Sequence, residues 1–167
     1  MGRKRIRCSI AGEAIAPCMS VLSGDADVSD AGFSPLNDLE HAFRSVRAGE
    51  APLAAFMDTL LQAQVFVLLD QDPGPEGNWH ETASPLVLNN HQGVPVLAIF
   101  TAPERAIPMA GQFPAFAYGL LIDFAWLLQR ITAGAGLVIN PGTLIGMEMP
   151  PAAVQRLQQE WQAASRR

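Results

Sequence analysis

Two apolar segments, Gly93-Val-Pro-Val-Leu-Ala-Ile-Phe-Thr101 and Gly136-Leu-Val-Ile-Asn-Pro-Gly142, decide how this chain folds. Each begins at a glycine and runs through apolar residues, many of them β-branched, as is typical of strands covered on both faces. The first leads into a Phe-Thr-x-x-Glu step that ends at Glu104, and the second ends in an Asn-Pro-Gly turn. We interpret both as core strands of one layered α/β domain, with their two exits on a common rim.

The patterning around these strands predicts helices on either side of a sheet. Leu39, Phe43 and Val46 form one apolar stripe, so they indicate a first helix. Asn37 followed by Glu40 matches the spacing of an N-terminal capping box for that helix. The other predicted elements are a second helix after Pro52, a strand over 65–69, a hairpin over 86–100, a buried helix over 119–131, short strands over 137–139 and 144–149, and a last helix after Pro151. Residues 102–112 are predicted to be mostly loop, with a short turn of helix at Pro103-Glu104-Arg105 as the helical alternative.

This order of elements predicts the fold class as α/β, with α+β as the alternative. The expected architecture is a single-domain sandwich in which helices flank a mixed β-sheet. A length of 167 residues and an apolar fraction of 49% suit one domain with a full hydrophobic core. We expect residues 36–167 to form that domain, preceded by a flexible arm over residues 1–35.

The charge distribution separates the arm from the domain. Four basic residues (Arg3, Lys4, Arg5 and Arg7) lie at the N-terminus, whereas residues 19–165 carry fifteen acidic and five basic side chains. An acidic domain repels phosphate backbones, so we expect no nucleic-acid partner. The bias toward arginine, alanine and glycine is typical of GC-rich coding DNA, and we therefore interpret residues 1–18 as a candidate over-called start, with Met19 as the true start.

The composition also bears on compartment and metal binding. No apolar run reaches the roughly 18–20 residues that a membrane span requires, and no signal-peptide core is present, so we predict a cytoplasmic protein without membrane contact. Both cysteines precede the domain, so they supply no framework disulfide. Three scattered histidines do not match the number and spacing of zinc ligands. We expect no metal and no cofactor.

Asp123 is the most unusual polar residue, because it lies in the apolar run Leu-Leu-Ile-Asp-Phe-Ala-Trp-Leu-Leu. A buried carboxylate must be paired, protonated or directed into a cavity. The structural interpretation is that the Asp123 side chain bonds a partner on a loop or lies at an exposed position. The functional interpretation is a ligand pocket that Asp123 shares with Thr101, Glu104 and Asn140 at the strand exits.

Catalytic signatures are missing from the sequence. We find no nucleophile elbow, no cysteine in the domain and no glycine-rich phosphate loop. We therefore predict no catalytic residue, and the balance leans against an enzyme. Apolar side chains in segments predicted to be loops, at Trp79, Met109, Phe113 and Phe116, instead suggest a contact patch for a protein partner.

The motifs together resemble a known family. The residues that carry the likeness are Leu39-Glu-His-Ala, the strand over 65–69, Gly93-x-Pro-Val-Leu-Ala-Ile-Phe-Thr with Glu104, and Gly136-Leu-Val-Ile-Asn-Pro-Gly142. In this order they resemble the N-terminal domain of the SseB family, whose name stands for enhanced serine sensitivity, over residues 36–162. The resemblance implies a bacterial, cytoplasmic α/β domain, and it supplies no accepted catalytic residues.

These observations leave three functional hypotheses. The first is a non-enzymatic protein-interaction module that binds another protein or a second copy of itself, with Trp79, Phe113 and Phe116 as contact residues. The second is a small-molecule sensor or enzyme with a pocket near Asp123, Thr101 and Asn140. The third is an accessory to protein secretion, based on the acidic domain and its basic arm.

Overall fold

Strands and helices alternate along the part of the chain that the computed structural model describes, which is residues 6–7, 33–143 and 145–167. The strands are β1 (Ile6–Arg7), β2 (Gln64–Leu69), β3 (Val87–Asn89), β4 (Pro95–Ile99), β5 (Tyr118–Asp123), β6 (Gly136–Ile139) and β7 (Met147–Met149). The helices are α1 (Asp38–Arg47), α2 (Leu53–Gln62), α3 (Pro103–Gln112), α4 (Phe124–Leu128) and α5 (Pro151–Ser165). The expected arm and the candidate over-called start fall almost entirely outside these residues.

The strands form two sheets that meet along one seam. One sheet has the order β1-β5-β2 and is antiparallel, whereas the other has the order β3-β4-β6-β7 and contains the parallel pair β4 and β6. Phe66 of β2 and Phe100 after β4 exchange two backbone hydrogen bonds of 2.8 Å across the seam. The mixed α/β fold predicted from the sequence is therefore confirmed.

Strand alternation divides the core into two layers. In β2, Val65, Val67 and Leu69 face one apolar cluster, and Phe66 and Leu68 face the other. The first cluster is covered by α1, α2, α4 and α5, whereas α3 supplies the helical residues of the second. In the part of the chain that the structure describes, one face of the sheets is thus covered by four helices and the other by one.

The helix predicted over residues 119–131 is wrong. Residues 118–123 form β5, which pairs with β2 along its whole length, and only Phe124–Leu128 is helical. An apolar run shows no periodicity that separates a buried strand from a buried helix. Gly119 fits the strand because a Cβ atom there would lie 1.9 Å from the ring of Phe66, so only glycine lets that ring pack against β5.

The loop predicted over residues 102–112 is also wrong, because these residues form α3. Pro103 lies in the first turn, where a missing N–H costs no hydrogen bond, while Pro108 lies inside the helix. Ala106, Met109 and Ala110 recur at helical spacing and are buried against the sheet, and this burial stabilises the helix despite Pro108. Met109 is therefore a core residue and not part of an exposed contact patch.

Candidate functional site

The exits of the parallel strands β4 and β6 are held together by Thr101 and Asn140. Ile99 and Ile139 are paired in register, so the polar residues that follow each strand come close together. Both side chains are buried. The Thr101 N–H donates to Asn140 Oδ1 at 2.9 Å, and Asn140 Nδ2 donates to Thr101 Oγ1 at 2.9 Å. The Asn140 side chain therefore bonds the exit of the neighbouring strand β4.

Asn140 adopts a left-handed backbone conformation, with φ of 52°. Asparagine tolerates this region better than most residues other than glycine. The sharp turn reverses the chain directly after β6, and the amide is left facing Thr101. The same residue thus ends the strand and supplies both a donor and an acceptor to its neighbour.

Glu40 of α1 is fully buried and binds both Thr101 and Arg105. Thr101 Oγ1 donates to Glu40 Oε1 at 2.5 Å. The Arg105 guanidinium donates two hydrogen bonds of 2.9 Å to the carboxylate, from Nε to Oε1 and from one terminal nitrogen to Oε2. The backbone N–H of Leu36 adds a fourth bond, at 2.8 Å to Oε2. Such a two-pronged arginine–carboxylate pair is among the stronger polar interactions in proteins.

The balance of forces on Glu40 favours its charged form. Burial by itself raises the pKa of a carboxyl group, but the hydrogen bonds from Arg105, Thr101 and Leu36, together with the positive charge of Arg105, outweigh it. The pKa of Glu40 consequently lies below its ordinary value of 4.5. The same contact raises the pKa of Arg105, so the ion pair is present throughout the neutral range.

Asn37 joins the start of α1 to this cluster. Its Oδ1 accepts the Glu40 N–H at 3.0 Å, as the predicted N-cap requires, and its Nδ2 donates to the Thr101 carbonyl at 2.8 Å. Arg105 also binds the carbonyl of Ser34 at 2.8 Å and lies 4.4 Å from the ring centre of Phe33. We call the set Asn37, Glu40, Thr101, Arg105 and Asn140 the strand-exit network.

The strand-exit network leaves no reactive group free. Among the described residues, the only buried side-chain oxygen or nitrogen without a partner is Gln112 Oε1, which belongs to no part of the network. The Thr101 hydroxyl donates to a carboxylate and accepts from an amide, so it is not prepared to attack a substrate. The geometry is therefore that of a polar clamp between α1, α3 and the two strand exits.

Asp123 and Glu104 lie outside the network. Asp123 is exposed at the junction of β5 and α4, and its Oδ1 accepts a 3.2 Å bond from Nε2 of Gln64. Glu104 is exposed in the first turn of α3, where a negative charge suits the helix dipole. The structure thus brings together Thr101 and Asn140 of the predicted pocket, and among the described residues no hydrogen bond joins them to Asp123 or Glu104.

A shallow open cavity of about 480 Å³ lies beside the network. Six of its eight lining residues have polar side chains, and the full set is Asn37, Asp38, Leu39, Asp58, Thr59, Gln62, Ala63 and Gln64. Asn37 bonds the carbonyl of Thr101, and Gln64 bonds the carboxylate of Asp123. The cavity therefore extends between the neighbours of two residues that the sequence had assigned to one pocket.

The predicted contact residues lie on opposite faces of the sheets. Trp79 is half-buried on the four-helix face and contacts Trp126, with ring centres 5.9 Å apart. Phe113 and Phe116 are half-buried on the face covered by α3. These aromatic side chains consequently do not form one patch.

Two carboxylates that follow β2, those of Asp70 and Asp72, have structural roles. Asp70 accepts the backbone N–H of Ser84 at 2.7 Å, and Asp72 accepts that of Gly74 at 2.9 Å, so both carboxylates hold the loop after β2. In the described part of the chain, no group of three or more histidine, cysteine, aspartate or glutamate side chains is placed to hold a metal ion. None of the helices described is long and apolar enough to cross a membrane.

Glu40 and Arg105 are the two residues of the strand-exit network that sequence reasoning missed. Glu40 was explained by its capping-box spacing, which predicts a local and exposed role. One signal was present, because Arg105 is the only basic residue between Arg47 and Arg130. A lone cation in an acidic stretch, directly after a core strand, indicates a specific partner.

The protein is a mixed α/β domain whose polar strand exits are clamped by an ion pair between the buried Glu40 and the partly buried Arg105. Residues 39–156 match the family model for the SseB protein N-terminal domain, so the chain belongs to the SseB family. The match spans the first helix, both core strands and most of the described domain. Searches of curated proteins and of solved structures give no significant match.

Proposed function

We propose that this domain is a non-enzymatic protein-interaction module. The most prominent polar residues of its motifs support this proposal, because they bind one another in the strand-exit network and leave no group in position for chemistry. A network of this kind fixes the relative position of helices and strands. Enzymes with an open α/β sheet carry their sites at the strand ends. In this protein, the strand ends are held in place by the network instead.

The observation that carries the proposal is the unequal covering of the sheets. Within residues 33–143 and 145–167, four helices pack on one face, whereas α3, of ten residues, is the only helix on the other. Phe113, Phe116 and Leu121 lie on this second face and remain half-buried. Partly exposed aromatic side chains beside an apolar core are typical of surfaces that bind a partner protein. We call these three residues the α3-side patch.

Site-specific photo-crosslinking tests this proposal. A photoreactive phenylalanine analogue is placed at position 113 or at position 116. Each variant is expected to form discrete covalent adducts with a partner protein in cells that make the protein. The matched control carries the same analogue at position 126, because Trp126 is also aromatic and half-buried but lies on the four-helix face. Absence of adducts at both 113 and 116, or the same adducts at 126, would contradict the α3-side patch as the binding surface.

The second candidate function is a small-molecule sensor or enzyme, and the cavity beside the network favours it. Carboxylates of Asp38 and Asp58, with amides of Asn37 and Gln64, line a space of about 480 Å³, within the range of small-ligand sites. This space adjoins the positions of Asp123 and Thr101 that the sequence indicated. Asn140 contributes through its bonds to Thr101.

A thermal-shift screen against amino acids, nucleotides and divalent metals separates the two candidates. A ligand present at about 100 times its dissociation constant adds about 2.7 kcal/mol of stability. For a domain of this size, that corresponds to a rise of about 5–10 °C in Tm. A shift that disappears in Asp58→Asn but persists in Glu160→Gln, an exposed residue of α5, would place the ligand in the cavity and favour the sensor.

The family and composition support a bacterial, cytoplasmic setting for either function. An accessory role in protein secretion is the third proposal, and it rests on the acidic domain and the four basic residues near the N-terminus. Cell fractionation with an antibody to the native protein tests the compartment. Recovery of the protein in the cytoplasmic fraction is the expected result, and recovery with membranes or in the medium would contradict it.

A further inference from the structure

The hairpin formed by α1 and α2 carries opposite charges at its two ends. Asp38 begins α1 and Asp58 lies in the second half of α2, and both line the cavity of about 480 Å³. Arg44 and Arg47 lie in the last turn of α1, at the other end of the hairpin. All four side chains are exposed. The hairpin therefore has an acidic end that contains a cavity and a basic end that carries two arginines.

These four charges are not used within the domain. Among residues 6–7, 33–143 and 145–167, no ion pair includes Asp38, Asp58, Arg44 or Arg47. The helix dipole explains the charges of α1, because its acidic residues lie in the first turn and its arginines in the last. It does not explain Asp58, since a carboxylate gains nothing toward the C-terminal end of a helix, and the last turn of α2 has no basic residue. The cavity therefore has a negative potential that favours a cation.

We propose that the α1–α2 hairpin is an interface between two copies of this chain, in which Arg44 of each copy enters the cavity beside Asp38 and Asp58 of the other. His41 lies between Asp38 and Arg44, three residues from each, and is also exposed. A twofold axis that passes near His41 brings the basic end of each copy to the acidic end of the other. This surface belongs to the four-helix face, so the proposal goes beyond partner binding at the α3-side patch and does not depend on it.

An arginine side chain suits the cavity chemically. The guanidinium keeps its positive charge and has five N–H donors, which carboxylate and amide oxygens accept. Besides the two aspartates, the lining includes the amides of Asn37, Gln62 and Gln64. A second copy is the favoured occupant because one hairpin supplies both the cavity and the arginines, as a self-complementary twofold interface requires. Each charged end then meets its opposite twice, once on either side of the axis.

Apolar surface accompanies the charges. Leu53 begins α2, one short loop after Arg47, and is 52% exposed. Ala54 and Ala55 follow it and are also exposed, and their small side chains allow a partner to approach the helix closely. Burial of apolar surface favours association, whereas exposed ion pairs alone contribute little. The apolar residues would thus supply affinity, and the charges would set the orientation of the two copies.

Charge reversal in the full-length chain tests this interface. In sedimentation equilibrium, the unmodified protein is expected to show a mass that rises with concentration toward that of a dimer. Arg44→Glu together with Arg47→Glu makes both ends acidic and should raise the dissociation constant of the dimer about tenfold or more. Asp38→Arg together with Asp58→Arg makes both ends basic and should have the same effect. An equimolar mixture of the two reversed proteins is expected to recover the dimer, because each end again meets its opposite.

The matched control is Arg156→Glu together with Arg166→Glu, which reverses two exposed arginines at α5 and should leave the dissociation constant unchanged. Circular dichroism reports that every variant is folded. Adducts formed through position 116 are expected to persist in Arg44→Glu with Arg47→Glu, so failure of this interface and failure of the α3-side patch are distinguishable.

Three results would overturn the proposal. A single-chain mass at every concentration up to about 1 mM would show that the copies do not associate specifically. An unchanged dissociation constant in the variant with both arginines reversed would show that the copies meet through another surface. If the two reversed proteins are folded but their mixture does not recover the dimer, the arginines and the aspartates do not lie opposite each other.

Discussion

The strand-exit network and the corner around Asp123 both place polar residues at the ends of apolar strands, but the protein uses them differently. In the network, Glu40 is fully buried and every polar partner is satisfied within the fold. At the corner, Asp123 is exposed and accepts one bond, from Gln64. The comparison teaches that a carboxylate within an apolar sequence need not be the buried one. The buried carboxylate lies in an ordinary amphipathic helix.

The energetic consequences of the two arrangements also differ. A buried carboxylate depends on its cationic partner, and removal of that partner leaves a charge without solvent. An exposed carboxylate is already hydrated, so its hydrogen bond contributes little. The comparison therefore predicts large effects on stability in the network and small ones at the corner.

The largest effect is expected for Arg105→Met. This change leaves Glu40 buried without a cation and should lower the free energy of unfolding by about 3–5 kcal/mol. Urea unfolding followed by circular dichroism measures it. The matched control is Arg130→Met, because Arg130 is exposed and lies 3.6 Å above the ring of Trp126, a contact that contributes about 0.5–1 kcal/mol. Equal losses for the two variants would break the comparison.

Asn140→Ala is expected to cost about 2–4 kcal/mol. It removes the acceptor of the Thr101 N–H and places a β-carbon at a φ of 52°. Asn140→Gly removes the same hydrogen bonds but tolerates that φ, so it should be about 1 kcal/mol more stable than Asn140→Ala. Unfolding of both variants in urea separates the two contributions. If both variants matched the unmodified protein, the Asn140 amide would not hold the strand exits together.

Acidification is expected to weaken the network at Glu40. Its pKa in the folded protein is below 4.5, so the unfolded chain binds a proton first as the pH falls. The stability that the ion pair contributes is therefore fully present above about pH 4.5 and is lost as the pH falls through the lower folded pKa. Urea midpoints measured at about pH 7 and about pH 3.5 test this prediction. Glu40→Gln should have a smaller difference between these midpoints, whereas Glu104→Gln, an exposed neighbour of Arg105, should keep it.

Asp123→Asn is expected to have the smallest effect, within about 0.5 kcal/mol of the unmodified protein. The amide keeps an oxygen that accepts from Gln64, and both side chains are in contact with solvent. The same unfolding assay measures this change. A loss above about 2 kcal/mol would indicate that Asp123 is buried and paired like Glu40, and the contrast between the two regions would disappear.

The sequence predicted most of the fold because most elements show a clear period or clear boundaries. Three features each have one local interpretation. They are the stripe at Leu39, Phe43 and Val46, the proline before α2, and the turn within the 86–100 hairpin. The run over residues 118–128 has none, since it is apolar on all sides and contains both a strand and a helix. Only its pairing with β2, a contact between distant parts of the chain, decides between them.

The sequence also predicted only some of the contacts in the candidate site. Thr101 and Asn140 were expected at a common rim because both follow core strands, and the parallel pairing of β4 and β6 brings them together. The partnership of Glu40 with Arg105 joins residues 65 positions apart, and the capping role of Glu40 concealed it. Local spacing identifies residues that end strands and begin helices, but it does not identify which of them meet.

A double-mutant cycle between Glu40→Gln and Arg105→Met tests most directly the claim that the strand-exit network is a closed structural clamp. Urea unfolding of the unmodified protein, both single variants and the double variant gives the coupling energy of the pair. The account predicts that the double variant loses less stability than the sum of the single variants, with a coupling of about 2 kcal/mol or more. Additive losses, equal to the sum within about 0.5 kcal/mol, would contradict it.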